Sequence, residues 1–384
     1  MRQVGMLDLG TEYGLFAHEV RAAVNGVLES QQFINGPPVR EFESAMSDRL
    51  GVQHAIAVSN GTDALLCTLM ALGLGHGDEV IVPAFTFFAT AGSVARIGAT
   101  PVFVDIDAKT FNVDPQQVEA AITDRTKAII AVHLYGQCAD MDAINAVAAR
   151  HGLPVVEDAA QAIGATYHGR PACSLGRVAT LSFYPTKNLG GFGEGGMIAT
   201  DDDELATIIR QLRNHGESGR YEHERIGGNF RLDSIKAAML LVKLRYLDRF
   251  HDQRQRNAAR YTAALEGTDV QTPFVPDGYD HVFHQYTIRS DQRDELRAFL
   301  NDRGVSSGVY YPIPLHLQPC FAYLGGKPGM LPVCERACRQ VLSLPVHPML
   351  SDDDVDFVAC CIHEFFRSRG AAPDLSTAVA DTQV

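Results

Sequence analysis

Short apolar runs alternate with helix-like stretches from about residue 53 to residue 200. Several runs consist almost entirely of Val, Ile, Ala and Leu, which is typical of strands covered on both faces. This alternation predicts a mostly parallel sheet with helices on both sides. The predicted strands are His54–Val58, Glu79–Pro83, Thr100–Val104, Ala128–His133, Pro154–Glu157, Ala179–Phe183 and Gly196–Thr200. Helical patterns between them include Thr62–Leu72, Asp140–His151 and Asp202–His215.

The pattern changes after residue 231. One long helical pattern runs from Leu232 to about Gln255 and is predicted to bridge two domains. A smaller α+β region follows, with predicted strands at His284–Arg289 and Gly308–Tyr311, a helix at Asp291–Arg303 and a last helix at Asp352–Arg369. We therefore predict an α/β protein with a large domain over residues 1–245, including an N-terminal arm, a small domain over 246–369, and a disordered tail over 370–384.

Composition excludes several classes of protein. The 384 residues are 46% hydrophobic and 21% charged, which fits a globular enzyme. The formal net charge of −13 argues against nucleic acid as a partner. No apolar run approaches the ~20 residues of a membrane span, and the first residues lack a signal-peptide pattern, so the cytoplasm is the expected location. The eight cysteines have no zinc spacing and predict buried thiols without a metal.

The stretch from Leu181 to Gly196 carries the strongest chemical signal. It places Lys187 among aromatic residues and glycines, directly after a predicted strand. A lysine is usually a solvated surface residue, but these flanking residues predict a tight loop with little room for water. A desolvated lysine has a lowered pKa and can act as a nucleophile and a proton shuttle.

A second signal is an acid at the end of a predicted buried strand. Asp158 lies where open α/β sheets bind ligands, and strand alternation should turn its neighbour Glu157 to the opposite face. A pyridoxal phosphate enzyme needs such an acid to keep the ring nitrogen protonated and a lysine to form a Schiff base. Gln161 is then a candidate partner of the ring's phenolic oxygen.

Two further segments suit the same cofactor. Residues 59–65 follow a strand and open a helix at Gly61 and Thr62, so they predict either a phosphate site or an ordinary helix cap. Ser182 can add a hydroxyl to the phosphate. One of the phenylalanines that follow the next strand can stack on the ring, while at least two of them are expected to fill the core. These are Phe85, Phe87 and Phe88.

The segment before the long helical pattern leaves two interpretations open. Asn229 and Arg231 can reach a phosphate or a substrate anion, or they can belong to a loop whose Asp233 caps the helix.

Together these segments resemble the sugar aminotransferases of the DegT/DnrJ/EryC1/StrS family. The resemblance covers roughly residues 5–365, and the lysine and Asn-Gly-Thr motifs in this order are highly specific. The matching segments are Phe33–Val39, Ser59–Leu65, Pro83–Thr90, Val104–Asp107, Glu157–Gln161, Ser182–Gly190, Asn229–Asp233 and Tyr311–Pro319.

The resemblance implies the aspartate aminotransferase-like fold (fold type I), with a mostly parallel seven-stranded sheet in the large domain. It implies a homodimer with shared active sites and pyridoxal 5′-phosphate as the cofactor. By motif, Lys187 would be the Schiff-base lysine and Asp158 the partner of the pyridine nitrogen. The implied cofactor contacts are completed by Gln161 at the ring hydroxyl, Phe87 on the ring face, Gly61, Thr62 and Ser182 at the phosphate, and Asn229 of the partner subunit.

The resemblance also implies a reaction. L-glutamate would donate an amino group to a keto group, at carbon 3, of a nucleotide-linked hexose in amino-sugar biosynthesis for a surface polysaccharide or a secondary metabolite. Relatives with His in place of the lysine are dehydratases, so Lys187 indicates an aminotransferase. Arg231, Tyr310, Tyr311 and His316 are the predicted substrate contacts, although many similar members carry His where this chain has Tyr310.

Two other functions remain open. The acceptor can instead be a cyclic keto compound such as an inosose. Alternatively, the chain can be a non-catalytic sensor or regulator that keeps the cofactor pocket, which the intact pair of Lys187 and Asp158 disfavours. Arg231 fits a uronate carboxylate, a diphosphate or a place at the surface equally well.

Overall fold

The computed structural model describes residues 2–370. The tail predicted from residue 370 onward lies outside this range, apart from Gly370, at which the last helix ends. The described α-helices are α1 (Leu9–Gly14), α2 (Ala17–Ser30), α3 (Pro37–Leu50), α4 (Gly61–Ala71), α5 (Phe88–Arg96), α6 (Pro115–Ala120), α7 (Met141–His151), α8 (Asp203–Arg213), α9 (Ser234–Leu244), α10 (Leu247–Ala264), α11 (Arg293–Asp302), α12 (Pro332–Gln340) and α13 (Asp352–Gly370).

The strands alternate with these helices in the first half of the chain. They are β1 (His54–Val58), β2 (Glu79–Pro83), β3 (Thr100–Val104), β4 (Thr126–Val132), β5 (Val155–Asp158), β6 (Thr166–Tyr167), β7 (Arg170–Pro171), β8 (Val178–Ser182), β9 (Gly196–Thr200), β10 (Glu217–Gly219), β11 (Glu222–His223), β12 (Tyr279–Asp280), β13 (Tyr286–Arg289) and β14 (Val341–Leu344). Four predicted strands have the predicted bounds, and the other three in the large sheet shift by one or two residues.

The main sheet has seven strands in the order β1-β9-β8-β5-β4-β2-β3. Only β9 runs against both of its neighbours, so the other six strands share one direction. The prediction of a mostly parallel seven-stranded sheet is confirmed. Because the carboxyl ends of β1, β5 and β8 lie at the same edge, the loops that follow them can build one site.

Two hydrophobic cores cover the two faces of this sheet. Successive strand residues point to opposite faces, so Ala57 packs in one core and Ile56 in the other. Helices α3, α7 and α9 contribute to the first core, and α4, α5 and α8 contribute to the second. The result is a three-layer arrangement in which helices lie on both sides of the sheet, as the sequence pattern predicted.

The single long helix predicted from Leu232 is wrong, because the chain bends between α9 and α10. Tyr246 N–H donates to the carbonyl of Lys243, a tight i→i−3 bond, and both Arg245 and Tyr246 bond to Glu19. The bend lets the two helices serve different cores: α9 packs on the sheet, while Tyr261 of α10 packs in the C-terminal core.

The predicted strand Gly308–Tyr311 is also wrong. Only Gly308 pairs with Ser343, on β14, through an isolated bridge. The residues after it leave the small sheet because Val309, Tyr310 and Tyr311 pack against a separate hydrophobic cluster that includes Phe85 and Tyr135. Burial of these side chains therefore prevails over ladder pairing.

The C-terminal core also includes the start of the chain. Val4 is 2% exposed and packs with residues of α10, α11, β13, β14 and α13. Its N–H donates to the carbonyl of Gly304, and its carbonyl accepts from Ser306. Within residues 2–370, no helix is both long and apolar enough to cross a membrane.

Candidate active site

A cavity of about 840 Å³ opens where β1, β5 and β8 end. It brings together residues from distant parts of the chain. The predicted site residues that line it are Gly61, Thr62, Phe87, Asp158, Gln161, Ser182, Lys187, Tyr310 and Tyr311. Three predicted residues do not line it, namely Asn229, Arg231 and His316.

Lys187 lies in the loop after β8, and its side chain borders the cavity. Burial lowers the pKa of this lysine from 10.5 to about 8, and the negative charge of Asp158 opposes the shift. A substantial fraction of the amine is therefore neutral near pH 8. A neutral amine is both a nucleophile and a base.

Asp158 ends β5 and is 6% exposed. Its Oδ2 accepts a hydrogen bond from Thr90 Oγ1 at 2.8 Å, and its Oδ1 accepts from the N–H of Ala160 at 3.3 Å. Thr90 sits in α5, so a helix from one side of the sheet holds the carboxylate at the cavity edge. This arrangement fixes an anion beside the lysine.

Glu157, the neighbouring acid, faces away from the cavity. It is fully buried and lies 2.8 Å from His133 Nε2. Its carboxylate also accepts hydrogen bonds from the backbone N–H groups of Cys173, Leu175 and Gly176 at 2.7–2.9 Å. The two acids are separated as strand alternation requires, and Glu157 anchors a loop.

The start of α4 provides a place for an anionic group. Asn60 caps the helix by accepting from Asp63 N–H at 2.8 Å. In residues 2–370 no acceptor pairs with the N–H groups of Gly61 and Thr62, which border the cavity. A Cβ on Gly61 would lie 2.7 Å from Ser182 Cβ, so the glycine permits close packing against the end of β8.

These residues fit pyridoxal phosphate. The cavity offers a helix N-terminus and a hydroxyl for a phosphate, a held carboxylate for a ring nitrogen, and an amine of lowered pKa. The fit rests on these donor and acceptor types and on the cradle that only glycine leaves open.

Phe87 and Gln161 border the same space. Phe87 is 56% exposed, and its ring centroid lies 6.1 Å from that of Tyr311. Gln161 Oε1 accepts from Tyr135 N–H at 2.7 Å, and its Nε2 donates to Tyr311 Oη at 3.2 Å. Of the three phenylalanines only Phe85 is buried, so the expectation that at least two fill the core is wrong.

The predicted substrate contacts divide into two groups. Tyr310 and Tyr311 border the cavity. His316 does not: it is 4% exposed, and its Nε2 lies 3.3 Å from Glu335 Oε1. This pairing with the segment that opens α12 gives His316 a structural contact away from the cavity.

Asn229 and Arg231 lie on a segment beside the cavity but outside its lining. Asn229 is exposed and pairs with Asn214 through an isolated bridge. Arg231 Nη1 donates to Asn214 Oδ1 at 2.5 Å. Neither side chain therefore lines the cavity.

Three residues of the site are absent from the predicted set. Thr90 holds Asp158 and lies in the family-like segment Pro83–Thr90, so its position after a strand marks it as a candidate site residue. Arg254 and His284 border the cavity from α10 and from the segment before β13. No local motif marks these two, because each reaches the site only through the packing of the C-terminal core.

Comparisons with known proteins identify close relatives. A sequence model of the DegT/DnrJ/EryC1/StrS aminotransferase family matches residues 16–363. The chain is 54% identical over 367 residues to a protein of Geobacillus stearothermophilus named "Pleiotropic regulatory protein", covering 95% of this chain and 99% of the relative. It is 48% identical over 359 residues to a UDP-2-acetamido-2-deoxy-3-oxo-D-glucuronate aminotransferase of Pseudomonas aeruginosa, covering 94% and 99%.

A solved structure shares the fold. NtdA of Bacillus subtilis, described with bound cofactor PMP, superimposes with a TM-score of 0.88 at 35% sequence identity. The match covers 96% of this chain and 86% of the other.

Proposed function

Because this chain belongs to the DegT/DnrJ/EryC1/StrS aminotransferase family, we propose that it moves an amino group from L-glutamate to carbon 3 of a keto hexose linked to a nucleoside diphosphate. The chain is a pyridoxal phosphate-dependent aminotransferase with the aspartate aminotransferase-like fold. The observation that carries the proposal is the convergence of Lys187, Asp158 and the Gly61 cradle on one cavity. The Pseudomonas aeruginosa relative, named for a UDP-3-oxo sugar, supports the position and the nucleotide.

The cofactor, when bound, supplies an electron sink next to the carbon whose proton moves. Lys187, with its pKa of about 8, accepts this proton on its amine. It then gives the proton up again within the same half of the reaction. Thr90 holds the carboxyl group of Asp158 at the cavity edge, where it would pair with the ring nitrogen. Gly61 and Thr62 offer backbone N–H groups to the phosphate, and Ser182 offers its hydroxyl.

The ring face and the ring hydroxyl have candidate partners as well. Phe87 lies exposed to the cavity and can cover the ring. Gln161 is held by Tyr135 and Tyr311, so its amide is already oriented at the cavity edge. Such prior orientation lowers the entropic cost of binding.

The proposed active unit is a homodimer in the cytoplasm. Asn229 is exposed and Arg231 lies outside the cavity of its own subunit. Asn229 is thus available to the site of a second copy, where it would meet the phosphate. Arg231 is half-buried and bonded to Asn214, and its guanidinium would meet an anion of the acceptor in that same site. Tyr310 and Tyr311 would contact the acceptor within the same subunit.

A regulatory role is the second candidate, and the name of the Geobacillus stearothermophilus relative favours it. The net charge of −13 disfavours binding to nucleic acid. A cavity that retains a lysine of lowered pKa also favours catalysis. An inosose in place of the keto sugar is a variant of the first proposal, which a screen of acceptors would detect.

The first experiment is an absorbance spectrum of the purified protein with pyridoxal phosphate. We expect a visible band that shifts to the near ultraviolet on addition of L-glutamate. Lys187→Ala should abolish this shift, while Lys127→Ala, at an exposed lysine, should leave it unchanged. Absence of any band would overturn the assignment of Lys187 and favour the regulatory role. A band that ignores L-glutamate would require another donor.

A further inference from the structure

Tyr135 is a buried tyrosine whose three polar groups all have partners. It is 4% exposed and lies in the segment after β4. Its N–H donates to Gln161 Oε1 at 2.7 Å, and its carbonyl accepts from the N–H of Gln285 at 3.1 Å. Its Oη donates to the carbonyl of Tyr310. All three partner residues line the cavity, so Tyr135 supports the cavity wall at three points from behind.

The surroundings of Tyr135 hold its backbone in an unusual conformation. Its φ of 59° lies in the left-handed region, which is unfavourable for a residue with a Cβ. Such a conformation persists where neighbouring groups fix it. Phe85 and Phe111 pack edge-on against its ring, with ring centroids 6.4 and 5.8 Å away. The directions of the Tyr135 N–H and hydroxyl are therefore well defined.

The contact with Tyr135 fixes the orientation of the Gln161 amide. A backbone N–H can only donate, so the amide atom 2.7 Å from it must be the oxygen. The amide nitrogen then faces Tyr311 Oη at 3.2 Å and donates to it. Tyr311 Oη accepts this bond, and within residues 2–370 its own hydrogen has no acceptor. That hydrogen is available to a ligand, because Tyr311 lines the cavity.

Two ligands of the proposed reaction offer an oxygen to the Tyr311 hydroxyl. Burial raises the pKa of Tyr311 above its usual value, so the phenol stays neutral and keeps its hydrogen. One candidate oxygen is the phenolic oxygen of the cofactor, and the other belongs to the sugar of the acceptor. The second N–H of the Gln161 amide is the candidate partner of the cofactor oxygen. This division leaves the sugar for Tyr311.

We propose that Tyr135 is a positioning residue that makes Tyr311 a hydrogen-bond donor to an oxygen of the acceptor sugar. This inference rests on the proposed function. Through its N–H, Tyr135 sets the direction of the hydrogen bonds that run through Gln161 to Tyr311. Through its hydroxyl, it holds the carbonyl of Tyr310 and thus the segment that carries Tyr311. A donor that is already oriented lowers the entropic cost of binding the sugar.

The test measures binding of stable sugar nucleotides to the protein loaded with pyridoxal phosphate. UDP-N-acetylglucosamine and dTDP-glucose have no keto group at carbon 3, so calorimetric titration reports binding without turnover. The tighter ligand is compared with its free nucleotide, UDP or dTDP, which lacks the sugar. We expect Tyr135→Phe to weaken binding of the sugar nucleotide about 3- to 10-fold, as is typical for one hydrogen bond. Binding of the free nucleotide should not change.

Tyr286→Phe is the matched control. Tyr286 is also buried, and its Oη lies 2.9 Å from Thr262 Oγ1, in the C-terminal core and outside the cavity lining. Either substitution removes one buried hydroxyl and can lower the Tm, but only Tyr135→Phe should weaken binding of the sugar nucleotide. Equal losses of affinity in the two variants would reduce the role of Tyr135 to stability and overturn the proposal.

Tyr311→Phe and the double variant test the route of the effect. Tyr311→Phe removes the donor itself, so we expect at least the same loss of affinity. If Tyr135 acts through Tyr311, the double variant should bind at most about twofold more weakly than Tyr311→Phe alone. Losses that multiply would show another route and overturn the proposal. If Tyr135→Phe does not fold, as judged by circular dichroism, wild-type affinity in Tyr311→Phe would overturn it.

The affinity for pyridoxal phosphate separates the two candidate oxygens. If Tyr311→Phe weakened cofactor binding but not sugar-nucleotide binding, the hydrogen would belong to the cofactor and the proposal would be overturned. A wild type that binds neither sugar nucleotide more tightly than its free nucleotide would overturn it as well. The absorbance shift with L-glutamate reports the proposed function separately. Its absence would count against amino transfer, while a dependence of sugar binding on Tyr135 would still stand.

Discussion

The hydroxyl of Thr90 donates a hydrogen bond to Asp158 at 2.8 Å, across the edge of the sheet. Asp158 is 6% exposed, so water can supply few hydrogen bonds to its carboxyl group. Its other hydrogen-bond donor is the N–H of Ala160 at 3.3 Å. The position of the carboxylate in the cavity therefore depends on a residue from a neighbouring helix.

Thr90→Val should remove this support while keeping the shape of the side chain. Leaving a buried acceptor without its donor costs about 1–3 kcal/mol. We expect a lower Tm, weaker binding of pyridoxal phosphate and a lower rate of amino transfer. Thr90→Ser, which retains the hydroxyl, should restore all three. Equal thermal unfolding and equal rates for the valine variant and the wild type would show that the bond carries no function.

Lys187 should give the cofactor-free protein a distinct pH dependence. The neutral amine reacts with the aldehyde of pyridoxal phosphate, so the rate of capture should rise about tenfold per pH unit and level off above pH 8. Stopped-flow absorbance from pH 6 to 10 measures this rate. A rate that continues to rise towards pH 10.5, the value of an ordinary lysine, would contradict the burial of the amine.

The charge of Asp158 sets the sign of a second effect on this profile. Asp158 raises the pKa of Lys187 against the larger effect of burial. Asp158→Asn should therefore shift the midpoint of the capture profile to lower pH.

The unfolded chain holds the lysine proton up to about pH 10.5, so between pH 8 and 10.5 it binds more protons than the folded chain. This group alone makes the cofactor-free protein more stable as pH rises through that interval.

Gly61→Ala tests the phosphate cradle. The new Cβ would lie 2.7 Å from Ser182 Cβ, so the start of α4 and the end of β8 must move apart. Overpacking of this kind typically costs about 1–3 kcal/mol. We expect a lower Tm and a larger dissociation constant for pyridoxal phosphate, measured by fluorescence titration.

Gly26→Ala is the matched control for that substitution. It also lies in a helix, and a Cβ there meets no atom within 4 Å. Alanine at this position should raise stability slightly, because glycine is the poorer helix former. If both variants bound the cofactor as tightly as the wild type, the close approach at Gly61 would have no part in binding.

The main sheet could be predicted well because each strand carries its own local signal. His54–Val58 and Glu79–Pro83 are continuous apolar runs with clear flanking residues, and the structure gives them the same bounds. The break after α9 could not be predicted, since residues 232–255 carry one unbroken helical pattern. The bend arises from packing on two separate cores, which no local pattern reports.

The same distinction applies to the site. Lys187 and Asp158 stand in distinctive local sequences, and the structure places both at the cavity. Arg254 and His284 reach it only because the C-terminal core packs beside the sheet. His316 is the opposite case. It stands in a recognisable motif, yet its side chain pairs with Glu335 and does not line the cavity.

Glu157 and Asp158 are adjacent in sequence, but their side chains lie on opposite faces of β5 and have different roles. Four hydrogen-bond partners hold Glu157 in the interior, whereas Asp158 faces the cavity. In a library of random variants, substitutions at Glu157 and at Asp158 would then affect different properties of the protein. Changes at the first codon would remove protein from the soluble fraction, and changes at the second would leave soluble protein that no longer turns over substrate.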